Sequence, residues 1–183
     1  VEDCTGTCGG DTPDDAWACD PTNIASGSSA DGATSGTVYD DGGADGSYSI
    51  SKLYAYSISV EGDGAINLTV NSLATETCCD KLFVCDGEDT PDSSGFPSGG
   101  TGVGCTRLTE GSVGSTYTLS DSDVTLHFRS DGSVTGAGFD LGWEYVIPGC
   151  PLTDACNYSD TVTYDDGSCF YPVDADHDCA SAA

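Results

Sequence analysis

The middle of this chain consists of short runs in which apolar and polar residues alternate, separated by turns rich in glycine and aspartate. The alternation is clearest in YAYSISV, AINLTV, DVTLHF and GFDLGWEYV, with KLFV and YTL between the second and third of these. A period of two places successive side chains on opposite faces of a strand, so each run has one buried and one solvated face. No stretch has the spacing of an amphipathic helix. The sequence therefore predicts an all-β fold, an antiparallel β-sandwich.

Composition divides the chain into three segments. Residues 1–35 are glycine, serine, aspartate and threonine without periodicity, which predicts an irregular arm that is ordered only if its cysteines are tied down. Residues 36–147 hold the alternating runs and form the predicted sandwich. Residues 148–183 have few large apolar side chains, so this last segment needs disulfides to hold a structure.

Eleven cysteines, no methionine and two histidines define the chemistry that this chain can use. There is no C-x-x-C pair, so disulfides in an oxidising compartment are favoured over a thiolate metal site. The sequence thus predicts a secreted, extracellular or cell-surface protein, with a mature N-terminus at Val1. Because the count is odd, at least one thiol is free, reactive or joined to another chain.

The charge balance excludes several classes of partner. The chain carries 31 Asp and Glu against 4 Lys and Arg, a formal net charge of −27. Nucleic-acid binding needs clustered basic residues, and an anionic membrane surface would repel this chain. No run approaches the ~20 apolar residues of a membrane span. Self-repulsion at this charge favours the binding of cations.

Three stretches resemble the CUB domain, in the short form found in secreted bacterial and protist proteins. They are GTVYDDGGADGSYS at 36–49, TETCCDKLFVCDG at 75–87 and LHFRSDGSVTGAGFDLGWEYV at 126–146. The resemblance implies a jelly-roll β-sandwich of two sheets, here with irregular, disulfide-stapled segments at both ends. The family's F-x-S-D-x-S…G-F turn is matched by Phe128, Ser130, Asp131, Ser133, Gly138 and Phe139.

The CUB resemblance also implies one Ca²⁺ site, with Glu76, Asp80 and Asp131 as ligands and Gly132 and Ser133 as helpers. Ca²⁺ takes about 6–8 oxygen ligands, mostly carboxylate and carbonyl, and a distant turn can supply one of three converging carboxylates. Without an ion, the repulsion between negative charges so close together would raise the pKa of at least one of these carboxyl groups. The alternative is that these are solvated turn acids in an acidic chain. The sequence departs from the family at Val134, where asparagine is frequent.

The middle segment has four cysteines, and their partners are open. The CUB resemblance implies that Cys78 or Cys79 pairs with Cys105. An extended strand would place Cys79 and Cys85 about 20 Å apart, beyond the ~7 Å that a disulfide spans. A bridge between the neighbours Cys78 and Cys79 is not expected because it is strained. The remaining middle cysteines would then pair with the arm of the same or a neighbouring chain, through Cys4, Cys8 or Cys19.

The segment GCPLTDACNYSDTVTYDDGSC at 149–169 resembles a short cysteine-rich repeat of secreted and surface proteins from aquatic microbes. The resemblance implies a location more than an activity. Two bridges among the four terminal cysteines have three possible connectivities, and these cysteines are Cys150, Cys156, Cys169 and Cys179. The acids Asp174, Asp176 and Asp178 that follow are interpreted as a solvated tail.

Two N-x-S/T sequons mark possible glycosylation sites, at Asn67 and Asn157. Asn67 alternates with Ile66 and Leu68, so we expect it to be exposed. Short sequons also arise by chance, and use of these two depends on a eukaryotic source. His127 alternates outward in the same way, which predicts a surface histidine.

The sequence favours a non-catalytic extracellular protein with a structural or adhesive role, as a subunit of a surface filament or matrix assembly. Self-association or contacts with other extracellular proteins or glycans would serve that role. The alternative is a Ca²⁺-dependent CUB binding module for a protein or glycan partner. No nucleophile, metalloprotease or phosphate-loop motif is present, so catalysis is not expected.

Overall fold

A computed structural model of the chain describes residues 22–30, 32–87, 89, 104–171 and 179. The arm cysteines Cys4, Cys8 and Cys19 lie outside these residues, as do Asp174, Asp176 and Asp178. None of the described residues belongs to a helix long and apolar enough to cross a membrane. The strands are β1 (Ser35–Tyr39), β2 (Leu53–Ser59), β3 (Ala65–Ala74), β4 (Lys81–Asp86), β5 (Cys105–Leu108), β6 (Thr116–Leu119), β7 (Asp123–Arg129), β8 (Gly138–Val146), β9 (Pro148–Gly149) and β10 (Tyr164–Asp165).

Two four-stranded sheets form the body of the structure. Their strand orders are β1-β8-β3-β6 and β2-β7-β4-β5, and every pairing within them is antiparallel. The predicted all-β sandwich is therefore confirmed. The short pair β9 and β10 is parallel and follows the strands of both sheets in the chain. The predicted domain boundaries, with the sandwich at 36–147 between an arm and a terminal module, stay a prediction.

The core lies between the inner faces of the two sheets, where the alternating runs place their apolar side chains. Leu68 of β3 and Leu126 of β7 are both fully buried. Phe128 links this core to the segment before β2, since its ring makes edge-on contacts with Tyr48 and Phe139 at centroid distances of 5.2 and 5.3 Å. Burial of such side chains contributes about 1.5–3 kcal/mol each, which makes the core the main source of stability.

Part of the predicted arm belongs to the sandwich. Ile24, in a short 3-10 turn capped by Asn23, is fully buried in the core. Ser57 of β2 donates its backbone N–H to the carbonyl of Gly27, and its own carbonyl accepts from Ser29, both at 2.9 Å. Residues 22–30 are thus held by an apolar anchor and backbone hydrogen bonds, whereas the expected role of the arm cysteines stays a prediction.

Asn67 is buried, which contradicts the prediction of an exposed sequon. Its strand lies inside the sheet, with Thr118 opposite it on β6 and Glu144 opposite it on β8. The hydroxyl of Thr118 donates to Asn67 Oδ1 at 2.8 Å, and only 4% of Asn67 is exposed. Alternation indicated the correct face, but neighbouring side chains cover that face. At the second sequon, Asn157 Nδ2 donates to the carbonyl of Ser168 at 2.9 Å.

His127 is also buried, and the prediction of a surface histidine is wrong. It is 1% exposed and its Nε2 lies 2.9 Å from Asp89 Oδ2. Asp89 belongs to the segment after β4, whose backbone also bonds to Thr125 beside His127. Burial lowers the pKa of His127, against the opposing effect of the Asp89 carboxylate. The outer face of β7 is therefore covered at His127 and Thr125 by residues after β4, Gly87 and Asp89, which the alternation pattern does not show.

The disulfides of the middle segment differ from the predicted ones. Cys85 is bonded to Cys105, its direct partner across β4 and β5. Cys78 is bonded to its neighbour Cys79. The predicted bridge from Cys78 or Cys79 to Cys105 is wrong, because both residues lie in the turn before β4 whereas the strand register places Cys105 opposite Cys85. The predicted bridges from the arm to the middle segment are also wrong, since all four middle cysteines pair among themselves.

The four terminal cysteines pair with one another, in one of the three connectivities that the sequence left open. The bridges join Cys150 to Cys169 and Cys156 to Cys179. Cys150 is 1% exposed, and Cys156 donates its backbone N–H to the carbonyl of Phe170. The two bridges give this apolar-poor segment the cross-links that its composition requires.

Gly138 and Asp40 form a tight contact at the start of β8. Asp40 is fully buried, and its Oδ2 and Oδ1 accept from the backbone N–H groups of Phe139 and Gly42, each at 2.8 Å. Gly138 has a φ of 87°, and a Cβ there would overlap the Asp40 carboxylate. The carboxylate occupies the space that any other side chain would need.

We expect Gly138→Ala to destabilise the fold much more than Gly114→Ala. Gly114 has a φ of 82°, and a Cβ added there would meet no heavy atom within 4 Å. Both changes carry the backbone cost of a positive φ, about 1 kcal/mol. Only Gly138→Ala adds an overlap, for a further ~1–3 kcal/mol. Chemical denaturation of both variants measures the difference, and equal losses would show that Asp40 moves aside freely.

Candidate metal centre

Three carboxylates meet at one corner of the sandwich, where the second sheet starts β4 and ends β7. The first pair of these strands is Lys81 opposite Arg129. Asp80 directly precedes Lys81, and Asp131 follows two residues after Arg129, so the register brings both acids to the same corner. Carboxylate oxygens of Glu76, Asp80 and Asp131 all lie within 4.8 Å of one another. The structure thus brings together the three acidic ligands that the sequence predicts.

Asp80 is the buried member and is held from two sides. It is fully buried. Its Oδ1 accepts from the backbone N–H of Asp131 at 2.8 Å, and its Oδ2 accepts from the Tyr48 hydroxyl at 2.5 Å. The same hydroxyl accepts from the backbone N–H of Glu76 at 3.0 Å. Tyr48 therefore orients both ends of the turn that carries two of the three acids.

Tyr48 stays protonated at neutral pH. Burial, followed by its hydrogen bond to Asp80, raises the pKa of this phenol to about 12. It can therefore act as a donor to the Asp80 carboxylate throughout the physiological range. Sequence reasoning missed this residue, because nothing but its position in the stretch 36–49 connects it with the acids.

Glu76 carries the clearest sign of a cation site. Its Oε2 is buried and has no hydrogen-bond partner in the part of the chain that the structure describes. Desolvation raises the pKa of Glu76, and the charges of Asp131 and Asp80 raise it further. The nearby Arg107 guanidinium donates to the backbone carbonyls of Thr77 and Asp80, at 3.3 and 3.5 Å. A carboxylate oxygen in this position is costly unless a cation satisfies it.

The arrangement fits Ca²⁺. All three groups are hard oxygen donors, the type that Ca²⁺ prefers, and carbonyl or water oxygens would be needed to complete its shell of about 6–8 ligands. An ion here would offset the mutual repulsion of three negative charges. The roles of the Gly132 carbonyl and of Ser133 stay predictions; the backbone N–H of Ser133 donates to Asp131 Oδ1 at 2.9 Å.

The turn after Asp131 contains an unusual backbone conformation. Val134 has a φ of 55° and is 62% exposed, and Ser51, which donates to the Asp131 carbonyl, has a φ of 58°. Left-handed backbone is disfavoured for a β-branched residue and is tolerated by asparagine. The departure from asparagine at Val134 thus costs backbone energy at the edge of the candidate site.

We expect Tyr48→Phe to weaken Ca²⁺ binding and to lower the stability of the fold. Tyr54→Phe should have a smaller effect on both. The first change removes a hydroxyl that bonds Asp80 and Glu76, and loss of a hydrogen bond to a charged group costs about 1.5–3 kcal/mol. The Tyr54 hydroxyl donates to Asp41 Oδ2 at 3.3 Å, and Asp41 is not one of the three acids. Calorimetric titration with Ca²⁺ and thermal melting measure both effects. Equal behaviour of the two variants would contradict a positioning role for Tyr48.

Comparison with known proteins gives structural matches only. No protein-family model matches the sequence, and no curated protein matches it. The full extracellular region of zebrafish Gpr126/Adgrg6 is similar at 15% identity and a TM-score of 0.49, over 63% of this chain and 14% of that one. The CUB1-EGF-CUB2 domain of human MASP-1/3 is similar at 16% identity and a TM-score of 0.44, over 62% of this chain and 40% of that one.

A third solved structure is the MASP-1 CUB2 domain bound to Ca²⁺. It is similar at 14% identity and a TM-score of 0.41, over 61% of this chain and 93% of that one. This chain therefore spans less than half of the first two proteins and nearly all of the isolated domain.

Proposed function

We propose that this chain is a non-catalytic extracellular protein whose sandwich is a CUB-like module that binds Ca²⁺ through Glu76, Asp80 and Asp131. The observation that carries the proposal is the buried Glu76 Oε2, which has no hydrogen-bond partner among the described residues, in a side chain whose carboxylate lies near those of Asp80 and Asp131. The two sheets and the corner at which these acids meet agree with what the CUB resemblance of the sequence implies.

The disulfides support an extracellular location. Four bridges connect eight cysteines of the described residues. Disulfides persist in oxidising compartments and are rare in cytosolic proteins. Extracellular fluids also supply Ca²⁺ at millimolar levels, where even a weak site of about 10⁻⁴–10⁻³ M is occupied. An extracellular location would therefore supply the Ca²⁺ that the three acids need.

The test is Ca²⁺ titration of the full chain and of two matched variants, Glu76→Gln and Glu144→Gln. Both remove one negative charge with little change of shape, but Glu144 is an exposed side chain on the outer face of β8. We expect the Glu76 variant to bind about tenfold more weakly or worse, since it loses a charged ligand of a three-acid site. Ca²⁺ at 100 times the dissociation constant should stabilise the wild type by about 2.7 kcal/mol.

Chelation of Ca²⁺ provides the second readout. With EGTA, the wild type and the Glu144 variant should melt at lower temperature, whereas the Glu76 variant should respond much less. A melting temperature of the wild type that is the same with Ca²⁺ and with EGTA would remove the calcium part of the proposal.

The cysteine count favours an assembly role. Four bridges use eight of the eleven cysteines, and the three others, Cys4, Cys8 and Cys19, lie outside the described residues. Three thiols cannot all pair with one another, and the described cysteines are all occupied. At least one arm thiol then has no partner among the eleven cysteines of this sequence and is available for a bond outside it. We infer that the chain is a structural or adhesive subunit, linked through its arm into a surface filament or matrix.

Native material distinguishes the assembly role directly. On a non-reducing gel we expect disulfide-linked oligomers that collapse to monomer with reductant, and electron microscopy should show filaments or a network. The triple variant Cys4→Ser, Cys8→Ser, Cys19→Ser should run as monomer in both lanes. Monodisperse monomers of the wild type without reductant would rule out the filament version.

The alternative role is Ca²⁺-dependent binding of another extracellular protein or a glycan. Glu76 and Asp131 are half-buried as residues, so a basic side chain of a partner can approach the corner where the three acids meet. Partner binding that disappears in Asp131→Ala while the fold is intact would favour this role. A blank glycan array would exclude its carbohydrate form.

A further inference from the structure

The bond between Cys78 and Cys79 lies inside the turn that carries two of the three acids. Glu76 is two residues before this bond and Asp80 directly follows it. The backbone N–H groups of Cys79 and Asp80 both donate to the Glu76 carbonyl, at 3.4 and 3.1 Å. A disulfide between adjacent residues closes a small ring, which removes rotational freedom from the backbone at the centre of this turn.

The two sulfurs also lie against a ligand. A carboxylate oxygen of Glu76 and the Sγ atoms of Cys78 and Cys79 all lie within 4.8 Å of one another. A carboxylate oxygen of Glu76 also lies within 4.8 Å of carboxylate oxygens of Asp80 and Asp131, so the disulfide and the two other acids are neighbours of the same side chain. Disulfide sulfurs have no hydrogen to donate, whereas two thiols would each offer a weak donor to this carboxylate. Breaking the bond would therefore change both the flexibility of the turn and the surroundings of Glu76.

A reductant can reach this bond. Cys78 is exposed and Cys79 is half-buried, whereas Cys85 and Cys150, in two of the other bridges, are each 1% exposed. The Cys156–Cys179 bridge has comparable exposure but belongs to the terminal segment. It therefore provides a matched control, an accessible disulfide that is not in the turn of the three acids.

We propose that the Cys78–Cys79 disulfide is a reducible site that sets the Ca²⁺ affinity of the chain. The intact bond holds Glu76 and Asp80 in the arrangement that binds the ion, and reduction by a dithiol weakens binding. This proposal rests on the proposed Ca²⁺ function and adds a redox control to it.

The exchange is balanced by the dithiol alone. One thiolate of the reductant attacks Cys78 Sγ, which forms a mixed disulfide and releases Cys79 as a thiolate that takes a proton. The second thiolate of the reductant then attacks the reductant's other sulfur, which is bonded to Cys78 Sγ. This step releases Cys78 as a thiolate, which also takes a proton. Two electrons and two protons pass to the chain, and the reductant leaves as a cyclic disulfide.

The first test compares Ca²⁺ affinities of the oxidised full chain and of two double variants. Cys78→Ser with Cys79→Ser removes the bond in the turn, and Cys156→Ser with Cys179→Ser removes the control bond. Without the bond, about one backbone residue regains conformational entropy that it must lose again when Ca²⁺ binds. This cost corresponds to roughly tenfold weaker binding. We expect that loss in the first double variant and an unchanged affinity in the second. Circular dichroism at saturating Ca²⁺ checks that both are folded.

The second test needs no variant and covers the case in which the first double variant fails to fold. Wild-type protein loaded with Ca²⁺ is treated with increasing dithiothreitol, free Ca²⁺ is followed with an indicator, and opened cysteines are alkylated and mapped. Ca²⁺ should be released at the step that labels Cys78 and Cys79. Binding and reduction are linked, so saturating Ca²⁺ should also raise the dithiothreitol concentration needed to reduce this bond. The factor should be about the same as the factor by which reduction weakens Ca²⁺ binding.

The outcomes separate the two proposals. If the oxidised wild type binds no Ca²⁺, the proposed function fails, and this inference fails with it. If the wild type binds Ca²⁺ and either the serine variant binds it equally well or the ion stays bound after Cys78 and Cys79 are labelled, only the redox control is overturned.

Discussion

The antiparallel register of β4 against β7 is the constraint on which the candidate site depends. It pairs Lys81 with Arg129, and so brings the turn that ends at Asp80 next to the turn that contains Asp131. The backbone N–H of Asp131 then bonds Asp80, and the Tyr48 hydroxyl bonds Asp80 and the Glu76 backbone. A shift of this register by one residue would move every side chain of β4 to the other face and separate the acids.

The core and the site are connected through Tyr48. Its ring packs edge-on against Phe128 in the core, while its hydroxyl bonds the Asp80 carboxylate and the backbone N–H of Glu76. Burial of an apolar ring thus holds a polar group in place at the surface corner. In a chain with a net charge of −27, a cation would offset the repulsion at a corner where three carboxylate oxygens lie within 4.8 Å of one another. Ca²⁺ binding and stability of the sandwich are therefore expected to be coupled.

The strands with clear alternation were predictable, and the reasons for the misses are specific. Ile66, Leu68 and Val70 lie on the buried face as predicted, because a period of two is a local property of the strand. Asn67 and His127 were placed on the correct outer faces but not at the correct exposure. Exposure depends on what covers a face, which for His127 is a segment containing Asp89 and for Asn67 is the side chains of the flanking strands.

Cysteine pairing shows the same limit. The stretch 77–80 contains two cysteines, and Cys85 follows, but neither spacing nor the CUB resemblance identified Cys105 as the partner of Cys85. That pairing follows from the register of β4 and β5, which is a non-local property. Ile24 likewise lies in a segment without periodicity, and only its contact with the core shows why residues 22–30 are ordered.

The sequence by itself determined the all-β class, the faces of the alternating strands, the need for disulfides and the three acids of the candidate site. These depend on composition, on a period of two and on short motifs, which are readable along the chain. Only the tertiary structure decided which cysteines are bonded, that Tyr48 orients the acids, and that a disulfide lies against Glu76. Those features depend on strand register and on contacts between residues far apart in the chain, and no local pattern encodes them.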